Sequence, residues 1–238
     1  MQLTEKDWRS LFPKAPDAVI RAFAKQQHVL DKAGITATRT RLSYALANVE
    51  HECGGFSIPN LTENIKYTAK RMAEVWPKRF ASAAAVEARF GTRPGWQLKA
   101  FDEIYGGRMG NSKKSGSTDG SRFIGRGGPQ ITGREGYREV GRRAGLDLES
   151  NPDLATVPDH QPAILAGFIE WKGLNVIADR GNFADYVKVW NGGHNGMADR
   201  EGRLKGNDPI VSRLAVAVRS FSVLEALENI LTATEPAN

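Results

Sequence analysis

His51-Glu52-Cys53-Gly54-Gly55, followed by Glu63 eleven positions after Glu52, is the stretch that decides how this chain is read. Upstream, Leu42, Ala45, Leu46, Val49 and Cys53 recur at helical spacing, which predicts a helix from about Thr40 into Cys53. Gly54 stops it. At 100° per residue Glu52 falls at the edge of the apolar stripe, half buried, in a last turn that faces the negative end of the helix dipole. Both effects favour a protonated carboxyl, the state a general acid needs. Glu63 lies beyond a loop, Phe56 to Thr62, which Pro59 and Asn60 keep from being helix. A more exposed, ionised carboxylate there would complement the shielded one as base to acid. By spacing alone, though, such a pair is more often a solvated helix end and a helix-starting acid.

Outward from this stretch the chain reads as a succession of helices. Thr4 caps a short one carrying Trp8, Leu11 and Phe12, and Asp17 opens another that Gly34 closes. After Glu63, helices are predicted over Tyr67 to Trp76, Ser82 to Phe90 and Trp96 to Tyr105. Gly106 to Gly128 is glycine-rich and polar, a long irregular segment or a small hairpin, with Phe123-Ile124 as a short strand. Helix resumes over Thr132 to Ala144, Pro162 to Lys172 and Phe183 to Trp190. After Asp208-Pro209 an amphipathic run from Val211 to Leu231 is expected to pack on the helical body. The expected fold is thus mainly α. One domain is predicted over 1–238, with N-terminal helices in 1–38, the motif-bearing core in 39–206 and the amphipathic helix in 207–231.

Hydrophobic content of 40% and charged content of 25% are those of a soluble globular chain and argue against disorder. The excess of 33 Lys and Arg over 27 Asp and Glu, +6, suits an anionic polymer such as nucleic acid or a bacterial wall. Cys53 is the single cysteine, so this sequence has no intrachain disulfide and no cysteine-based zinc site, and its four His have no metal-ligand spacing. No metal or cofactor is expected. Lys113-Lys114 and Arg142-Arg143 lack the aromatic interleaving of a nucleic-acid site, and no nucleic-acid partner is expected. Met1 to Asp17 has no apolar signal core, which predicts synthesis in a bacterial cytoplasm and release through another protein.

Five blocks resemble the family 19 glycoside hydrolases, the chitinase-like lysins of bacteriophages and prophages with a lysozyme-like, two-lobed helical fold. They are His51-Glu52-Cys53-Gly54-Gly55-Phe56, Glu63-Asn64-Ile65-Lys66-Tyr67, Tyr105 to Asn111, Gly125 to Gly133, and Trp190-Asn191-Gly192-Gly193 through Ala198-Asp199-Arg200. The resemblance implies that Glu52 protonates the leaving oxygen and that Glu63 activates a water on the opposite face, with inversion at the anomeric carbon. Thr132 falls where the family has a hydroxyl that positions this water. Gln130, Asn191, Tyr67, Tyr137 and Arg200 fall among the substrate-contacting positions, and Arg200 is expected to pair with the catalytic carboxylates and so hold Glu63 ionised.

The resemblance also has departures. Cys53 replaces a Ser or Thr beside the acid, and a thiol is a poorer hydrogen-bond partner that could raise the Glu52 carboxyl. Gly136 stands where an Asn is common, Arg203-Leu204 replaces an aromatic pair, and Asn195 replaces a glutamate of plant members. The implied substrate is peptidoglycan, cut between N-acetylmuramic acid and N-acetylglucosamine by an endolysin that acts as a monomer, released to the wall by a holin-like protein. Chitin is the alternative, and a non-catalytic wall-binding protein the rival from another class.

Overall fold

The helix that carries Glu52 is the axis of the molecule. In the computed structural model, which describes residues 1–214, this helix, α4 (Arg39–Cys53), is capped by the Thr38 hydroxyl and ended by Gly54 in the left-handed conformation. Leu42, Tyr44, Leu46, Asn48 and Val49 are all buried, so the helix is covered on nearly every side. A helix apolar on one stripe only would sit at the surface; this one needs neighbours all round.

Those neighbours come from both ends of the chain. Before it run α1 (Glu5–Leu11), with a capping box between Thr4 and Asp7, α2 (Asp17–Lys25) and α3 (Gln27–Lys32). The single helix expected from Asp17 to Gly34 is broken at Gln26, where φ −108° and ψ 23° leave the helical region. The break lets Gln27 turn inward, where its Oε1 accepts from Leu3 N at 2.6 Å and its Nε2 donates to Met1 O at 2.8 Å. Burying that amide requires these partners. Trp8, Phe12, Phe23 and Phe56 pack ring against ring beneath α4.

A second, smaller apolar cluster is built by α5 (Ala69–Val75), α6 (Ala83–Phe90) and α7 (Trp96–Tyr105), around Met72, Phe80, Val86, Phe101 and Ile104. The larger cluster takes in α9 (Gly133–Ala144), α10 (Gln161–Lys172), α11 (Leu174–Asp179), α12 (Phe183–Asn191) and α13 (Met197–Val211). The helical fold is therefore two lobes of unequal size, each around its own apolar cluster.

The segment between the lobes is irregular, as its glycines predict, but not a hairpin. It contains one short helix, α8 (Asp119–Arg122), and the bridges Thr62 to Arg126 and Arg126 to Ile131 stand alone. Phe123 and Ile124 are buried without being a strand. Their carbonyls accept from Gly133 N and from the Tyr137 hydroxyl instead of from a neighbouring strand. The Asp119 carboxylate takes two hydrogen bonds from Arg134, at 2.6 and 3.0 Å, and Asn111 ties Tyr105 O to Arg134 N.

The C-terminal expectation is corrected. Pro209 does not itself open a helix; it sits in the last turn of α13, which began at Met197 and packs along α4. The helix ends two residues later, as a residue lacking a donor and crowding the carbonyl four back allows only near a terminus. The rest of the expected amphipathic helix, beyond Leu214, lies outside the described residues. Among the described residues no helix is long and apolar enough to cross a membrane.

Candidate active site

Between the lobes lies a cleft of about 650 Å³ lined by Glu52 and Glu63 together with Gln130, Thr132 and Asn191. Five residues expected at the site from scattered blocks are thus brought to one cavity. The last turn of α4 presents Glu52, whose side chain is 17% exposed. Its Oε1 accepts from Arg200 Nη2 at 2.6 Å. Arg200 is itself buried, with Nη1 on Asn48 Oδ1 at 2.5 Å and Nε on Asn195 O at 3.4 Å. Asn48 is oriented by its amide donating to Tyr44 O at 2.8 Å. A buried guanidinium with each face of its fork occupied is a fixed counter-charge rather than a mobile one.

Glu63 follows the turn Pro59–Leu61, in which Asn60 and Leu61 both have positive φ. Its own N–H donates to Gly125 O at 2.8 Å, and Gly125 N donates back to Glu63 Oε2 at 3.1 Å. The Tyr105 hydroxyl donates to Oε1 at 3.3 Å. A Cβ on Gly125 would stand 2.9 Å from Gln130 Oε1 and 3.4 Å from Glu63 Oε2, so a side chain there would displace the Gln130 amide. Burial raises the Glu63 carboxyl above its ordinary value, against the Gly125 and Tyr105 hydrogen bonds, which lower it.

Three expectations about this pair change. Glu63 is not the freely exposed member; it is half buried and desolvated. Arg200 pairs with Glu52, not with Glu63, because α13 lies along α4 and away from the Glu63 turn. The Cys53 thiol makes its hydrogen bonds in the core and not to Glu52: its Sγ donates to Val49 O and accepts from Phe56 N at 3.1 Å, and burial pushes the thiol up to about 12.

The other residues divide by burial. The Thr132 hydroxyl donates to Gln130 O at 3.1 Å, leaving lone pairs free to accept, and Gln130 Nε2 donates to Gly127 O at 2.9 Å. Gln130 has a φ of 54°, a strained backbone for a non-glycine residue at the cleft. Asn191 is exposed at the end of α12. Tyr137 is corrected to a core residue: fully buried, it donates to Ile124 O at 2.7 Å and is out of reach of a ligand. Arg200, buried behind Glu52, likewise touches no ligand. Tyr67 packs against Trp76 and Phe101 in the smaller core and does not line the cleft.

Sequence reasoning left out the wall formed by α9 and α10. Glu135, Gly136, Phe168, Trp171 and Lys172 line it, with Trp190 beside them and Arg108 and Met109 near the Tyr105 end. Phe168 and Trp171, three apart on α10, were legible only as a helix face. Among the described residues no group of three or more His, Cys, Asp and Glu side chains is placed to hold a metal ion.

No protein-family model matches the chain. A curated protein of Haemophilus influenzae, described as a glycosyl hydrolase family 19 domain-containing protein, is 29% identical over 201 residues, 84% of this chain and 92% of that one. The chain is thus similar in sequence to a family 19 glycoside hydrolase domain. Solved structures agree on the fold. Chitinase C from Streptomyces griseus superposes with a TM-score of 0.52 at 17% identity, covering 88% of this chain and 76% of that one. A bacterial family 19 chitinase gives 0.52 at 15%, covering 89% and 94%. This kinship supports glycoside hydrolysis as the class of reaction.

Proposed function

We propose that the chain hydrolyses β-1,4 glycosidic links of bacterial peptidoglycan by inverting acid/base catalysis. The observation that carries the reading is the pair of half-buried carboxylates, Glu52 and Glu63, delivered to one cleft from separate elements and held differently. Glu52 protonates the leaving oxygen: Arg200 occupies its Oε1, which leaves Oε2 to carry the proton into the cleft. Glu63 takes a proton from the attacking water, and a carboxylate raised toward neutral pH is a stronger base once ionised. Thr132, with its hydroxyl hydrogen directed to Gln130 O, accepts from that water and orients it. Gln130 and Asn191 contact the sugar.

The choice of polymer rests on charge. A net +6 favours a wall glycan bearing lactyl and peptide carboxylates over neutral chitin. In this reading the protein is an endolysin that acts as a monomer during host lysis, after leaving the cytoplasm through a holin-like protein. The second reading, a chitinase, is favoured by the solved structures named above.

Products from purified peptidoglycan and from chitin oligomers, analysed by mass spectrometry beside Glu52→Gln, test the proposal. Reducing muropeptides with intact stems, absent for the variant, are expected, and proton NMR of fresh products should show the inverted anomer. Cleavage confined to chitin oligomers would replace the substrate; lysis surviving in Glu52→Gln would remove Glu52 from its role.

A further inference from the structure

Lys172 is the last residue of α10 and lines the same cleft as Glu52 and Glu63. Its side chain is half buried, with Nζ 4.0 Å from the centre of the Trp171 ring and 6.0 Å from that of Phe168. Among the described residues it takes part in no ion pair; Glu135, across on α9, is the acid whose charge reaches it. Trp171 is itself seated over Gly136, where an added Cβ would lie 3.6 Å from the indole edge. Arg108, the other cation of the cleft, is exposed and lacks such a platform.

An ammonium held over an aromatic face keeps its position but has given up part of its water. Without a fixed carboxylate partner it is set to accept one from a ligand. We infer that Lys172, held on the Trp171 ring at the α9–α10 wall of the cleft, recognises a carboxylate of the glycan strand, the lactyl or stem-peptide carboxylate of N-acetylmuramic acid. The inference rests on the peptidoglycan reading and deepens it. Chitin offers only hydroxyls and acetamido groups, so this contact separates the two polymers. The reaction itself does not need it, and its effect falls on binding.

The test compares wild type, Lys172→Met and Lys172→Arg on soluble peptidoglycan strands and on an N-acetylglucosamine hexamer, in a series of NaCl concentrations. Methionine keeps the stem on the ring and removes the charge. Lys172→Met should lose about tenfold in kcat/KM on the wall strands, chiefly through KM, as expected for one charge-assisted hydrogen bond. Its loss on the hexamer should be several-fold smaller, its salt dependence on the strands shallower, and arginine should restore most of the difference. Equal losses on both substrates, or no rescue by arginine, would overturn the clamp while leaving the peptidoglycan reading in place. A wild type that leaves wall strands uncut would overturn that reading and the clamp with it.

Discussion

Tyr105 and Gly125 counter the burial that raises Glu63, and this opposition is testable in a pH profile. A base works only when ionised, so the acidic limb of kcat/KM reports the Glu63 carboxyl. Tyr105→Phe removes a hydrogen bond that lowers it. The limb should therefore move to higher pH, with the alkaline limb held; a limb that stays or moves down would dissociate Tyr105 from the base. Glu50 offers the corresponding test of stability. Half buried on α4 beneath Arg203, whose Nη1 is 3.9 Å away, its carboxyl is raised from 4.5 to about 7, mainly by desolvation. A carboxyl raised in the folded state favours folding below its unfolded value, and that favour is lost as pH rises from 4.5 through 7. Glu50→Gln should thus gain on wild type across this window, by at most about 3 kcal/mol, in urea melts at pH 4 and pH 8. A difference independent of pH would contradict the assignment.

At the scale of elements, α13 matters most and was least legible. Arg200, Leu204, Asn207 and Val211 follow one another at helical spacing toward α4, but two of the four are polar, and Arg200 and Asn207 are nonetheless buried. A stripe with polar residues inside it gives no hydrophobic period, so no helix was expected before Pro209. The same feature makes α13 the element that steadies the acid. Arg200→Met should cost about 3 kcal/mol or more in denaturant melts, because it removes a buried guanidinium bonded to both Glu52 and Asn48 and leaves the buried Asn48 Oδ1 without its donor. A loss below 1 kcal/mol would mean that water replaces the guanidinium without difficulty. The Arg203 side chain, which stands where the family has an aromatic residue, binds Asp199 at 2.6 Å within α13, and Asp199 in turn meets His51 of α4 at 2.6 Å, so the polar seam between the two helices continues.

Across the whole molecule, two cores of unequal size hold the two carboxylates on opposite sides of the cleft. The smaller core rests on few large side chains, with Phe101 fully buried at its centre against Tyr67, Trp76 and Tyr105. Phe101→Ala should cost about 3–5 kcal/mol there. Native-state hydrogen exchange should show faster opening in α5 to α7 while α4 amides keep their protection, since the lobes have separate cores. A uniform loss across both lobes would show that they unfold as one unit.

The sequence by itself determined the helical class and the end of α4 at Gly54, and it singled out Glu52 and Glu63 through the resemblance of five blocks. Thr38 before α4, Gly54 after it and the Thr4 capping box are local chemistry, decided by residues within a turn of one another. Only the tertiary structure decided the charge environment of the pair. Arg200 reaches Glu52 over a separation of 148 residues, and the Gly125 amide reaches Glu63 over 62. It also separated Tyr137 and Arg200, which are buried, from Gln130, Thr132 and Asn191, which line the cleft, and set Lys172 on its aromatic platform. Burial and charge pairing depend on which helices meet. Local spacing carries no record of that meeting when polar residues such as Arg200 and Asn207 occupy the contact.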